Sequence, residues 1–135
     1  VQALLEGAPP ALRRAFEFWV CGDDVARKKP DPEAYRLALG RLGVAEAGAV
    51  GEAVAGVLVL EDSPAGLAAA TGAGLSCLVC LSAATREEPE ARFSAARAVV
   101  ESLEEPGGKI GVRQGPPCPE GQVTLSWLER LLDTP

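Results

Sequence analysis

Val57-Leu58-Val59-Leu60-Glu61-Asp62-Ser63-Pro64-Ala65-Gly66 is an apolar run that stops at two acids and turns directly into a helix start. Four consecutive valine and leucine residues predict a strand covered on both faces, because a strand with one wet face would alternate apolar with polar. Parallel sheets are built this way. Ser63 offers a side-chain oxygen to the free amides of the first helical turn, and Pro64 takes the first helical position, where its missing N–H costs nothing. Glu61 and Asp62 are thereby placed at a strand's carboxyl end, the edge at which open α/β sheets bind ligands. Adjacent carboxylates there repel unless a cation lies near them, and Mg2+ takes carboxylate oxygens together with water and phosphate. The alternative is a solvated turn that carries two surface acids.

Downstream, the helix from Pro64 is rich in small residues, among them Ala65, Gly66, Ala68, Ala69 and Ala70, which let its backbone approach a sheet closely. Gly72 and Gly74 end it, and Leu75 to Leu81 reads as a second buried strand. Residues 57–81 therefore form one βαβ unit with a right-handed crossover. Ala98-Val99-Val100 is a short last strand. Residues 107–122 are crowded with Pro and Gly and read as a flexible surface loop. Thr124 caps a closing helix with Leu125, Leu128, Leu131 and Leu132 on one face and Trp127 beside them.

Upstream, Val1, Leu4 and Leu5 begin an interrupted helix that resumes from Ala11 to Phe16. Phe18 to Cys21 is expected as a short strand, ended by Gly22-Asp23-Asp24. Val25 to Pro30 is a basic loop, and its last residues are held extended because the residue before a proline is pushed out of the helical region. That extension aims Lys29. Asp31 is the expected N-cap of a helix with Pro32 at its first position and a stripe of Tyr35, Ala38, Leu39 and Leu42, and Gly43 stops it. Residues 44–56 are a small-residue connection.

With 47% hydrophobic and 24% charged residues, the 135-residue chain suits one globular domain. A net charge of −6 argues against a nucleic-acid partner, whose backbone is gripped by clustered Lys and Arg. No apolar run reaches the length of a membrane span. The chain contains no histidine, which removes His-based catalysis. Cys77 and Cys80 lie three apart on a strand and face opposite sides, so they cannot share one zinc ion, and reduced core cysteines fit an intracellular compartment. A soluble protein of cytoplasm or chloroplast is the expectation.

The order Gly22-Asp23-Asp24, Arg27-Lys28-Lys29-Pro30-Asp31-Pro32 with Tyr35, Leu42-Gly43-Val44, then Glu61 to Gly66 and Ala69-Ala70 before Gly72 resembles the haloacid-dehalogenase-like (HAD) hydrolases, in their CbbY-like and phosphoglucomutase-like sugar-phosphate branch. The resemblance covers roughly residues 16–104 and implies an α/β fold, a Rossmannoid three-layer parallel sheet. It implies that Lys29 is the catalytic lysine that neutralises nucleophile and phosphoryl oxygens, and that Glu61 and Asp62 hold Mg2+. Lys28, Arg27 and Ser63 are implied substrate-side groups for a small sugar phosphate or bisphosphate.

The family's Asp-x-Asp nucleophile motif and its Ser/Thr motif are not found in the sequence. Both, with the substrate-choosing cap domain, are expected upstream of Val1, so that residues 1–135 form the C-terminal half of a core domain. A phosphatase incomplete as it stands is one reading, and a non-catalytic binding or dimerising module is the other. In either, the strand at 57–60 is left as a sheet edge open to self-association.

Overall fold

The computed structural model describes residues 7–44, 54, 56–118 and 121–133. The expectations for Val1, Leu4 and Leu5, and for most of the 44–56 connection, lie outside the described residues. In chain order the elements are α1 (Pro10–Ala15), α2 (Glu33–Leu42), β1 (Leu58–Glu61), α3 (Pro64–Gly72), β2 (Ser76–Cys80), a 3-10 turn (Glu90–Phe93), β3 (Ala98–Val100), β4 (Val112–Gln114) and α4 (Leu125–Asp133).

The four strands form one sheet in the order β1-β2-β3-β4. β1 runs parallel to β2, with Leu58 opposite Ser76 and Leu60 opposite Leu78, and β2 runs parallel to β3, with Leu78 opposite Ala98. Helices cover both faces, making three layers. On one side Leu39 of α2 and Leu67 and Ala70 of α3 pack with Val59, Cys77, Val79, Val99 and Phe93. On the other, Trp127 and Leu131 of α4 pack with Leu78, Ala98, Val100, Ile110 and Cys118. Cys77 belongs to the first cluster while Cys80 packs against the second, so the two thiols do face opposite sides of β2.

Several expectations are corrected. The α/β three-layer fold with β1, β2 and β3 parallel is as expected, but the 107–122 stretch is not a flexible loop: it contains β4, which pairs antiparallel to β3, with Val100 opposite Val112. The stretch packs instead of floating because it carries apolar residues into the core. Ile110 and Cys118 are buried against Trp127 and Leu131, and the indole N–H of Trp127 donates to the Pro117 carbonyl at 3.0 Å. Gly115 has φ +98°, and a Cβ there would lie 2.7 Å from the Arg97 carbonyl, so this glycine permits close approach to β3.

Secondly, Phe18 to Cys21 pairs with no strand among the described residues. The Trp19 carbonyl is taken by the Arg41 guanidinium at 2.7 Å, and Asp24 closes a turn on the Cys21 amide. Thirdly, the buried side of α4 is centred on Trp127 and Leu131, while Leu125 is 72% exposed. Among the described residues no helix is long and apolar enough to cross a membrane.

Helix starts follow local chemistry. The Ser63 hydroxyl accepts from the Gly66 amide at 3.1 Å, as its position before Pro64 requires. Asp31 acts one residue earlier than expected, its carboxylate accepting from the Glu33 amide at 3.0 Å while Pro32 occupies the cap position. Gly43 ends α2 with φ +66°. Thr124 starts α4 through its carbonyl, which accepts from the amides of Trp127 and Leu128, and its hydroxyl pairs with that of Ser126.

Candidate active site

Glu61 is the last residue of β1 and one of two buried polar residues in the described core, 9% exposed. Strand alternation turns it, like Val59, toward the α2–α3 side, whereas Leu60 points the other way and Asp62 leaves the sheet exposed. A carboxylate buried there needs compensation. The ammonium of Lys29 and the hydroxyl of Tyr35 both donate to Glu61 Oε1, and Lys29 Nζ stands 5.1 Å from the centroid of the Tyr35 ring. The other oxygen, Oε2, lies over α3 at Gly66, at the positive end of the helix. Burial first, and then the bond to Glu61, hold the Tyr35 phenol well above its ordinary value. Burial and the Glu61 charge likewise push the nearby Cys77 thiol up to about 12.

Lys29, Glu61 and Asp62 border one open cleft of about 500 Å³ at the carboxyl end of the strands, with Leu60, Cys80, Leu81 and Ser82 completing its rim. Lys29 comes from the loop before α2, 32 residues from Glu61 in the chain, and its peptide to Pro30 is cis. The other three candidates stand differently. Ser63 caps α3. Arg27 is tied to Asp31 at 3.3 Å and Glu33 at 3.2 Å, and Glu33 also accepts from the amides of Ala26 and Arg27. The Ala26 amide and then the Arg27 guanidinium hold the Glu33 carboxyl below its usual range. Lys28 is exposed on the same loop.

The residue patterns did not single out Tyr35 as a site residue, nor Thr85. The Thr85 hydroxyl is buried, donates to the Asp62 carbonyl at 2.8 Å and accepts from the Ser82 amide at 3.0 Å. It thus joins the turn after β1 to the loop after β2. The signal available was Ser82-x-x-Thr85 directly after a strand, a spacing suited to a side-chain-closed turn.

Asp62 presents a hard oxygen donor at the cleft, suited to Mg2+. Glu61 already has Oε1 occupied by two donors, and no group of three or more His, Cys, Asp or Glu side chains converges among the described residues. Asp62 is thus suited to such an ion as one ligand of a shell, while Glu61 is committed through Oε1 to Lys29 and Tyr35.

The family model for haloacid dehalogenase-like hydrolases matches residues 1–74. The chain belongs to that family. It is 43% identical over 100 residues to the protein CbbY of Cereibacter sphaeroides, across 74% of this chain and 39% of CbbY. It is 45% identical over 64 residues to the phosphorylated carbohydrates phosphatase of Thermotoga maritima, across 47% of this chain and 26% of that protein. The crystal structure of a CbbY mutant from Rhodobacter sphaeroides in complex with xylulose-(1,5)bisphosphate superposes with a TM-score of 0.55 at 41% identity, covering 72% of this chain and 37% of that one. The chain thus aligns with under half the length of these relatives, and its CbbY-like kinship agrees with the likeness seen in its motifs.

Proposed function

We propose that residues 1–135 are the C-terminal half of the core of a Mg2+-dependent phosphatase for a small sugar phosphate or bisphosphate, with the nucleophile strand and cap domain supplied by sequence outside this chain. The observation that carries this reading is the convergence of Lys29, Glu61 and Asp62 on one cleft at the end of β1. Relatives whose names refer to phosphorylated carbohydrates, and a CbbY crystal holding a sugar bisphosphate, support the substrate class.

Phosphoryl transfer requires charge neutralisation on the transferring group more than covalent help from the protein. Lys29, 44% exposed and held at the rim by Glu61, is placed to meet phosphoryl oxygens with its ammonium. Asp62, with Glu61 beside it, would hold Mg2+, which when bound supplies further neutralisation. Lys28 adds positive charge outside the rim, Arg27 orders the loop through Asp31 and Glu33, and Ser63 sets the start of α3 beneath the site. A non-catalytic module is the weaker reading, because it has no need of a lysine and two acids at one strand end.

The test is reconstitution. The chain alone should show no sugar-phosphate turnover and Mg2+ binding weaker than micromolar, since an incomplete carboxylate set dehydrates this ion poorly. Co-expression with an upstream segment carrying the Asp-x-Asp strand should produce turnover that Lys29→Ala abolishes. Turnover by the purified chain alone, lost on Lys29→Ala, would overturn the proposal.

A further inference from the structure

Tyr35 is the chain's one tyrosine, and its hydroxyl donates to the same Glu61 oxygen that receives the Lys29 ammonium. A buried carboxylate with a single partner holds that partner tightly, because releasing it strands an uncompensated charge. A second donor on the same oxygen lowers that cost. Lys29 can then leave Glu61 for an anion without the carboxylate losing every bond. We infer that Tyr35 is a positioning residue whose hydroxyl keeps Glu61 satisfied while the Lys29 ammonium turns to a phosphate oxygen in the cleft.

The geometry favours this over simple packing. The phenol stands in the first turn of α2, its ring packs against the core cluster and its hydroxyl crosses to β1, so the ring alone would satisfy a packing role. The charged and titratable groups that act on it are Glu61 and Cys77, with the Lys29 ammonium over its ring.

This role rests on the cleft being a phosphoryl site, and phosphate binding by the full chain and its variants separates the two ideas. Inorganic phosphate is titrated by phosphorus NMR against the parent, Tyr35→Phe, Lys29→Met and the double variant. Tyr35→Phe keeps the ring and should weaken phosphate binding about tenfold, the scale of one hydrogen bond to a charged group, with no further loss when Lys29 is already Met.

Equal phosphate affinity in Tyr35→Phe and the parent, even with a lowered melting temperature, overturns the positioning role and leaves the phosphoryl site standing. A parent that binds no phosphate through Lys29 overturns the phosphoryl site and the role of Tyr35 together.

Discussion

Glu61 Oε2 would lie 1.8 Å from a Cβ built on Gly66, and the carboxyl carbon 2.1 Å from it. No rotamer adjustment of a methyl group relieves such an overlap, so glycine at 66 is what allows a buried acid to rest on the first turn of α3. Gly66→Ala is expected to push the carboxylate off its seat, loosening both Lys29 and Tyr35. Overpacking of this kind costs about 1–3 kcal/mol. Denaturant melts of Gly66→Ala should fall by that amount, and an unchanged melt would mean that Glu61 has another seat. Lys29, Glu61 and Asp62 were recognisable because each stands in a short motif whose chain context is local. The contact that defines the site was not, since Tyr35 and Glu61 are 26 residues apart and nothing in either neighbourhood announces the other.

At the scale of elements, the 107–122 stretch decides how well the second face of the sheet is covered. Its Pro and Gly content argues for a wandering loop, yet Ile110, Val112 and Cys118 supply apolar anchors and α4 supplies the surface that receives them. Trp127 is the centre of that contact, 1% exposed and bonded to the Pro117 carbonyl. Trp127→Ala should destabilise the chain by about 3–5 kcal/mol, through lost burial and a cavity that the loop cannot fill. Hydrogen exchange should show β4 losing protection before β2 does. Equal loss in both strands would count against β4 depending on α4. Composition misread this stretch because propensity counts residues one at a time, whereas β4 exists through its partner β3.

The whole molecule has an asymmetric sheet. β2 is covered on both faces and paired on both sides, whereas β1 pairs only with β2 among the described residues. Leu60 of β1 is 55% exposed, and with Leu103, Leu125 and Leu128 it lines an apolar groove of about 380 Å³ beside that edge. Unpaired strand edges with apolar flanks invite a further strand. Sedimentation of the chain alone should therefore show concentration-dependent self-association that Leu60→Lys suppresses. A monomer at all concentrations, melting in one step above about 60 °C, would mark a self-sufficient fold and speak against an incomplete core.

What the sequence determined by itself is the βαβ unit of residues 57–81, the helix caps at Ser63 and Gly43, and the identity of the acids at the strand end. Each depends on neighbours within a few positions, where backbone chemistry leaves little choice. Only the tertiary structure decided that Glu61 is the buried acid and Asp62 the open one, that Tyr35 shares Glu61 with Lys29, that Phe18 to Cys21 forms no strand, and that the Pro- and Gly-rich stretch becomes an antiparallel edge. Those outcomes depend on contacts between distant segments, and the free energy of burying or pairing a group is set by what surrounds it in space rather than along the chain.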